Sequence, residues 1–338
     1  MTPDPVITRG APCHTSGMSD PAPHRTLLLA SPRGWCAGVE RAVDAVEQVL
    51  DLHGAPVYVR KQIVHNIHVV RDLEAKGAIF VEELDEVPRG SVVVYSAHGV
   101  SPAVRAEADE RGLRVIDATC PLVTKVHKQA IKYARNGYTI VFIGHEGHEE
   151  VEGTMGEAPD HMVLVQVEED VDQLELDQVE RLVYLTQTTL SVSETAGIIR
   201  RLKERFPQIQ GPAKEDICYA TSNRQAAVSD MVGEVDVLLV IGSANSSNTV
   251  RLADLAQQMG KPAYRIDDES EIDPTWVAGA TTVGITSGAS APETLVDRVC
   301  GWFRERGPTT VRPYAEVEEG VRFMPPTELR LALAQAGR

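Results

Sequence analysis

Residues 117–127 of the chain read DATCPLVTKVH and place a cysteine between a strand-like run and a helix. The apolar run RVIDA ends just before Cys120, and Pro121 is a residue type favoured at the first position of a helix. Two further segments have the same arrangement: residues 33–43, RGWCAGVERAV, contain Cys36, and residues 215–225, EDICYATSNRQ, contain Cys218. We expect each cysteine to follow a strand and to open a helix. The three junctions predict three similar modules that deliver one cysteine each to a shared centre.

Strand-like apolar runs alternate with helical stretches between these junctions. The longest runs, such as SVVVYS and DVLLVIGS, are nearly continuous and β-branched, which is typical of strands buried on both faces. The alternation predicts an α/β protein with mostly parallel sheets and helices on both faces. We expect three α/β modules, at residues 26–120, 121–217 and 218–306. Residues 1–25 are expected to be a disordered polar tail, and residues 307–338 a tail that either packs on the surface or is partly disordered.

Composition limits the classes of function. The chain has 338 residues, of which 43% are hydrophobic, and its formal net charge of −16 argues against a nucleic-acid-binding surface. Five cysteines without a short disulfide framework indicate a reducing compartment. The sequence contains neither an apolar signal core nor an apolar run of about 18 residues, so we expect a cytoplasmic protein without a membrane span.

The three junction cysteines are candidate metal ligands. They are too far apart in sequence for a short zinc-binding motif, but a helix N-terminus favours thiolate over thiol and suits an anionic cluster. Three thiolates leave one iron of a cubane cluster without a protein ligand, which is typical of a reactive centre. The alternative is that each cysteine is a small buried apolar residue, as we expect for Cys300, and that Cys13 has no role.

Polar residues follow several predicted strands. SVVVYS runs into AHGVS, DVLLVIG into SANSSN and TTVGIT into SGASAPE, and VYVRKQIVHN adds His65 and Asn66. Ligands bind at the carboxyl ends of parallel strands, so these hydroxyl, amide and imidazole groups predict a site for phosphate or diphosphate. No GxxxxGK[ST] or GxGxxG motif follows a strand, so ATP and NAD binding are not supported.

Residues 144–153, GHEGHEEVEG, have three interpretations. His145, His148, Glu149 and Glu150 are candidate zinc ligands, although their spacing in a glycine-broken loop differs from the helical HExxH pattern. The segment is alternatively a polar loop with capping roles. In the third interpretation a carboxylate and an imidazole supply a proton to a leaving hydroxyl, with Thr188 or Thr189 as a relay.

Taken together, these motifs resemble those of the 4-hydroxy-3-methylbut-2-enyl diphosphate reductases, the LytB/IspH family. The resemblance extends from about residue 27 to residue 302. It rests on nine motifs in the family's order: PRGWCAGVERAV, VYVRKQIVHN, SAHGVS, DATCPLVTKVH, GHEGHEEVEGTMGE, TQTTLSV, DICYATSNRQ, GSANSSNT and SGASAP. Two residues depart from the family's pattern, because Trp35 stands where Phe is common and Glu149 where Pro is common.

The resemblance implies a trefoil of three α/β modules around one [4Fe–4S] cluster per chain, with Cys36, Cys120 and Cys218 as ligands. It allows the N-terminal strand to pack with the third module. The residues that match the family's substrate-binding positions are His65, His98, His148, Thr188, Ser246, Ser247, Asn248 and Ser290. Glu150 matches the proton source, working with Thr188 and near His148.

The implied reaction is a reductive dehydroxylation at the open iron of the cluster. It converts 4-hydroxy-3-methylbut-2-enyl diphosphate to isopentenyl and dimethylallyl diphosphate, the last step of the non-mevalonate pathway. The implied electron donor is a ferredoxin or flavodoxin. Three alternatives remain: a hydro-lyase that uses the same kind of cluster on a phosphorylated substrate without net reduction, a non-enzymatic iron–sulfur sensor, and a structural zinc protein.

Overall fold

Three parallel β-sheets flanked by helices make up the computed structural model, which describes residues 24–315, 317 and 319–337. The predicted class, an α/β protein of three modules with parallel sheets, is confirmed. Most of the predicted N-terminal tail, with Cys13, lies outside the described residues. No helix within these described ranges is both long and apolar enough to cross a membrane.

The first sheet has four strands in the order β3-β2-β4-β5. Its strands are β2 (Val57–Arg60), β3 (Ala78–Val81), β4 (Val92–Tyr95) and β5 (Arg114–Asp117). The helices of this part of the chain are α1 (Ala37–His53), α2 (Ile67–Ala75) and α3 (Pro102–Glu110). All residues of β4 are buried, as expected for a central strand covered on both faces.

The second sheet has three strands in the order β7-β6-β8. Its strands are β6 (Thr139–Ile143), β7 (Met162–Val165) and β8 (Leu182–Thr186), and its helices are α4 (Pro121–Arg135), α5 (Glu149–Met155), α6 (Glu168–Gln173) and α7 (Val192–Arg205). Alternate residues of β6 face two separate cores. Ile140 and Phe142 pack in the core that contains Val126 of α4, whereas Val141 packs in the core that contains Leu202 of α7. Helices α4 and α7 therefore cover opposite faces of this sheet.

The third sheet has five strands and includes the first and the last strand of the described chain. Its order is β10-β9-β11-β1-β12, from β1 (Arg25–Leu29), β9 (Val237–Ile241), β10 (Ala263–Ile266), β11 (Thr282–Ser287) and β12 (Thr309–Pro313). Its helices are α8 (Tyr219–Met231), α9 (Ser247–Gln258) and α10 (Glu293–Arg304). Cys300 of α10 is buried in the core of this sheet, as predicted.

The C-terminal segment links the third sheet to the first. After β12, helix α11 (Thr327–Gln335) packs on α1 and β5, and its Leu329 is fully buried in the core of the first sheet. Full burial of a leucine side chain stabilises a fold by about 1.5–3 kcal/mol. A hydrogen bond also holds Met324, which precedes α11, against α1: Arg41 Nε donates to the Met324 carbonyl at 2.8 Å.

The three cysteines stand at helix N-termini, as predicted. Cys36, Cys120 and Cys218 are the N-cap residues of α1, α4 and α8. The expectation of a preceding strand is wrong for Cys218, which follows a loop after α7. That loop contains prolines and charged residues, and its backbone pairs with a strand only through the isolated bridge between Gln210 and Val183.

Candidate active site

All twelve residues predicted for the site line one cavity. They come from all three sheet systems, at the carboxyl ends of strands and the N-termini of helices. The cysteines are Cys36, Cys120 and Cys218, and the other residues are His65, His98, His148, Glu150, Thr188, Ser246, Ser247, Asn248 and Ser290. Parallel strands bring their carboxyl ends to one edge, so polar residues from distant parts of the chain meet here.

The thiols of Cys36 and Cys120 converge on the backbone of Gly38. A Cβ atom at this glycine would lie 2.7 Å from the Cys120 sulfur and 3.8 Å from the Cys36 sulfur. The two sulfurs are therefore no further apart than the sum of those distances. Any side chain at position 38 would collide with Cys120, which explains the glycine two residues after Cys36.

Burial governs the protonation of the thiols. It raises the pKa of Cys120 to about 12 and that of Cys218 to about 11, and the nearby Cys36 sulfur acts in the same direction. The backbone N–H of Thr221 donates to the Cys218 sulfur at 3.4 Å, but this contact and the helix N-terminus only partly offset burial. At Cys120 and Cys218, burial therefore opposes the preference for thiolate that the helix N-termini provide. A cationic metal centre would favour the thiolates, because coordination deprotonates thiols. Three convergent sulfur donors fit an iron–sulfur cluster.

Three histidine rings stand next to the thiols. The rings of His65 and His98 stack with centroids 3.9 Å apart, and His148 meets both edge-on. In each ring, Nδ1 lies within hydrogen-bonding distance of another group of the protein. Asn245 Nδ2 approaches His65 Nδ1 at 3.3 Å, the backbone N–H of Glu150 donates to His148 Nδ1 at 3.1 Å, and His98 Nδ1 lies 3.0 Å from Glu149 Oε2.

These contacts set the hydrogen-bonding roles of the rings. Burial and the neighbouring rings lower the pKa of His65 and bring that of His148 to about 3, so both imidazoles are neutral. Because their Nδ1 atoms accept hydrogen bonds, their Nε2 atoms carry the proton and act as donors. His98 differs, since its Nδ1 faces a carboxylate and therefore carries a proton. Burial alone would raise the pKa of Glu149, but the hydrogen bond from His98 lowers it and keeps the group ionised.

Glu150 and Thr188 form a buried pair. Only 1% of the Glu150 surface is exposed. The backbone N–H of Thr188 donates to Glu150 Oε1 at 2.7 Å, and Thr188 Oγ1 lies 3.0 Å from Glu150 Oε2. Burial raises the pKa of Glu150, and the hydrogen bonds from Thr188 offset this only in part. The site therefore favours a carboxyl group that carries a proton.

Hydroxyl and amide groups line another part of the cavity, around the N-terminus of α9. Ser246 caps this helix, Ser290 Oγ donates to the His65 carbonyl at 2.9 Å, and Ser247 Oγ donates to the Thr189 carbonyl at 3.0 Å. Asn248 is 3% exposed, yet neither of its side-chain amide atoms has a hydrogen-bond partner among the described residues. An unpartnered buried amide beside a helix N-terminus is suited to a polar anionic ligand.

The candidate zinc ligands of residues 144–153 do not converge. His145 lies outside the cavity, and its Nε2 is 2.7 Å from Arg251 Nη2. The other three candidates contact different groups: His148 contacts the Glu150 backbone, Glu149 contacts His98, and Glu150 contacts Thr188. A different set, His65, His98 and Glu149, has ligand atoms within 4.8 Å of one another and is the group best placed to hold a single metal ion. These atoms come from separate elements, so their spacing in sequence gives no indication of the grouping.

Several residues that shape the site were not recognised from the sequence. For Asn66, the sequence predicts a ligand-binding group, but its Oδ1 instead accepts from the N–H groups of His68 and Val69 and caps α2. Asn245 supports His65, and the only signal for it is its place beside Ser246 in SANSSN. Arg224 is fully buried and donates to the Gly34 carbonyl from Nε at 3.1 Å, which fixes the loop that carries Cys36. A buried arginine has no sequence signal of its own.

Three parallel α/β units that enclose convergent thiols, a buried acid and anion-binding donors define an α/β enzyme with a central catalytic cavity. Comparison with known protein families identifies the family within this class. The family model described as LytB protein matches residues 27–304. The chain belongs to the LytB family and is an enzyme of the oxidoreductase class.

Curated relatives and solved structures agree with this assignment. The chain is 56% identical over 311 residues to a 4-hydroxy-3-methylbut-2-enyl diphosphate reductase of Leifsonia xyli subsp. xyli, covering 92% of each chain. It is 53% identical to the protein of the same name from Mycolicibacterium paratuberculosis, covering 97% of this chain and 99% of that one. The structure of the E-1-hydroxy-2-methyl-but-2-enyl-4-diphosphate reductase from Plasmodium falciparum matches with a TM-score of 0.90 and 37% identity, over 94% of this chain and 100% of that one.

Proposed function

We propose that this protein reduces 4-hydroxy-3-methylbut-2-enyl diphosphate to isopentenyl and dimethylallyl diphosphate, the last step of the non-mevalonate pathway. The observation that carries the proposal is the Glu150–Thr188 pair, which lies in the same cavity as three thiols and a set of anion-binding donors. A proton source, a ligand set for a redox centre and a diphosphate site are the three parts that this reaction requires. The names of the relatives support the same substrate.

Cys36, Cys120 and Cys218 would hold a [4Fe–4S] cluster, one per chain. When bound, such a cluster would supply electrons and a Lewis-acidic iron to the reaction. With three cysteine ligands, one iron would remain without a protein ligand. The free thiols that the site needs also support a reducing, cytoplasmic location.

The histidines and the α9 end would bind the diphosphate. His65 and His148 donate from Nε2, and His98 is held in place by the contact between its Nδ1 and Glu149. Ser246, Ser247, Asn248 and Ser290 add hydroxyl and amide groups at the N-terminus of α9. Binding of the diphosphate group would position the reacting carbon at the other end of the substrate. This positioning lowers the activation barrier, although the diphosphate is far from the C–O bond that breaks.

Glu150 would supply the proton for the leaving hydroxyl. In its protonated form, Glu150 donates from Oε2 to Thr188 Oγ1, which frees the threonine hydroxyl hydrogen to point into the cavity. The relay then protonates the substrate oxygen as the C–O bond breaks, so that water and not hydroxide leaves. In total, two electrons and two protons replace the hydroxyl group by hydrogen and release one water molecule.

Anaerobic turnover of the purified protein tests the proposal. The protein would be supplied with reduced methyl viologen and 4-hydroxy-3-methylbut-2-enyl diphosphate, and the products separated by chromatography. We expect both isopentenyl and dimethylallyl diphosphate. A dehydrated diphosphate formed without viologen oxidation would indicate a hydro-lyase, and the absence of any product from iron-replete protein would remove the assignment.

A further inference from the structure

Helix α4 is rich in basic residues, although the protein as a whole is acidic. Its 15 residues include Lys125, Lys128, Lys132 and Arg135 but no aspartate or glutamate, whereas the whole chain has a net charge of −16. These four residues are spaced by three or four positions, which places them on one face of the helix. The two in the last turn, Lys132 and Arg135, also suit the helix dipole, but Lys128 lies in the middle of the helix, where the dipole has little influence.

The basic face forms one side of a surface groove, with Arg41 of α1 on the other side. We call Arg41, Lys125, Lys128, Lys132 and Arg135 the basic groove. Two of its members are already engaged. Lys125 pairs with buried Asp216 at 3.0 Å, and Arg41 donates to the Thr119 and Met324 carbonyls.

The other three members of the basic groove are exposed and carry unneutralised charge. Lys128, Lys132 and Arg135 form no ion pair within the part of the chain that the structure describes. The acidic neighbours of the groove include Asp216, which Lys125 neutralises, Asp117 and Glu328, which lie near Arg41, and Glu215, whose carbonyl accepts from Lys125. The groove therefore presents a net positive surface to solvent.

The basic groove and the catalytic cavity share a wall. Thr119 and Pro121 line the groove, while Cys120 between them lines the cavity. Arg41, on the opposite side of the groove, belongs to α1, the helix that Cys36 caps. A partner seated in the groove is thus separated from the thiols by little more than one stretch of backbone.

We propose that the basic groove docks the acidic face of a small electron-carrier protein that delivers electrons to the thiol cavity. This inference rests on the proposed reductase function, which needs two electrons per substrate. In each encounter the carrier is oxidised by one electron and the enzyme centre is reduced by one, so two encounters supply one turnover. An acidic carrier is repelled by most of this chain, and a local cationic face steers it to the one orientation that brings the redox centres close. Electron-transfer encounters have small, transient interfaces, which a groove of this kind suits.

The test compares a protein donor with a small donor on the same anaerobic holoenzyme. The protein donor is a purified acidic flavodoxin reduced photochemically, and the small donor is reduced methyl viologen. We expect K128E/K132E to lower kcat/KM for flavodoxin at least tenfold at low salt, with the difference shrinking as salt is raised. Viologen-driven turnover is expected to stay at the wild-type value. The neutral variant K128Q/K132Q, which keeps good helix formers, is expected to show a smaller loss in the same direction.

A matched control lies on the other face of the same sheet. R200E/K203E makes an equal charge change on α7 and is expected to leave flavodoxin-driven turnover unchanged. Titration calorimetry of flavodoxin into each holoenzyme gives a readout that is independent of catalysis, and K128E/K132E should weaken this binding. Equal flavodoxin kinetics for wild type and K128E/K132E, or equal losses in the α7 control, would overturn the docking proposal. Absence of viologen-driven turnover in the wild type would instead overturn the reductase proposal.

Discussion

Both carboxyl oxygens of Glu150 contact one residue, Thr188: its backbone N–H donates to Oε1 at 2.7 Å, and its hydroxyl oxygen lies 3.0 Å from Oε2. The contact joins α5 of the second sheet system to the loop after β8. Burial raises the pKa of the Glu150 carboxyl group, so this group can hold one proton. The proposed proton transfer to the substrate depends on this contact. It also explains why a short helix begins directly after His148, since α5 must present Glu150 inward.

Glu150→Gln removes the proton and keeps the size of the side chain. We expect kcat to fall by about 10²- to 10⁴-fold, the usual contribution of a general acid, while KM changes little. Steady-state viologen oxidation measures both constants. Glu152→Gln, at an exposed position on the same helix, is the control and should retain full activity. A Glu150→Gln enzyme with wild-type kcat would exclude Glu150 as the acid.

Cys120→Ser removes one of three sulfur donors. Serine has a much higher pKa and a harder oxygen ligand, so we expect iron and acid-labile sulfide per chain to fall well below those of the wild type. Colorimetric assay of both elements after anaerobic purification measures this. Cys300→Ala, in the core of the third sheet, should keep the wild-type iron content. Undiminished iron and sulfide in Cys120→Ser would contradict its role as a ligand.

Glu149→Gln replaces the charge that faces His98 Nδ1. Hydrogen bonds to charged groups contribute about 1.5–3 kcal/mol, so we expect KM for the diphosphate substrate to rise by about tenfold or more. Because Glu149 does not contact the proton relay in the structure, kcat should stay close to the wild-type value. Glu146→Gln, exposed in the same loop, serves as the control. A loss confined to kcat would show that Glu149 acts on the chemistry and not on binding.

Glu319→Gln breaks the ion pair that neutralises Arg224. The arginine side chain is fully buried, and its Nη1 lies 3.1 Å from Glu319 Oε2. Removing one partner of a buried pair costs about 3–5 kcal/mol, so we expect a clear fall in the denaturation midpoint. Asp172→Asn, which breaks the exposed pair with Arg201, should leave the midpoint almost unchanged. Equal midpoints for Glu319→Gln and wild type would show that the C-terminal segment does not stabilise the Cys36 loop.

Glu157 gives the stability a pH dependence in the acid range. Burial alone would raise its pKa, but hydrogen bonds from His127 and Arg105 lower it below the ordinary value of 4.5. The group therefore stabilises the fold fully above the unfolded-state pKa, and this contribution is lost as the pH falls through the folded-state pKa. In urea unfolding of cluster-free protein, Glu157→Gln should be less stable than wild type at neutral pH, with the gap closing below about pH 4. A gap that widens on acidification would contradict this sign.

The sequence predicts the local features of the site well, and the reason is physical. A proline after Cys120 and the polar ends of apolar runs are local signals for helix starts and strand ends, and the geometry of parallel sheets then brings those ends together. The insertion of β1 between β11 and β12 is different, because pairing between strands at opposite ends of the chain depends on the whole fold.

Contacts between modules also lie beyond local sequence signals. The bond between His98 and Glu149 joins residues on separate sheet systems, and the pairing of Arg224 with Glu319 depends on where the C-terminal segment runs. The burial of the thiols is likewise visible only in the folded structure, where desolvation raises the pKa of Cys120.

The electron stoichiometry of turnover tests the central claim most directly. Iron-replete protein would be mixed anaerobically with reduced methyl viologen and a limiting amount of 4-hydroxy-3-methylbut-2-enyl diphosphate, and viologen oxidation compared with the diphosphates formed. The account predicts two electrons consumed for each molecule of isopentenyl or dimethylallyl diphosphate. Substrate consumed without viologen oxidation, or viologen oxidised without either product, would contradict it.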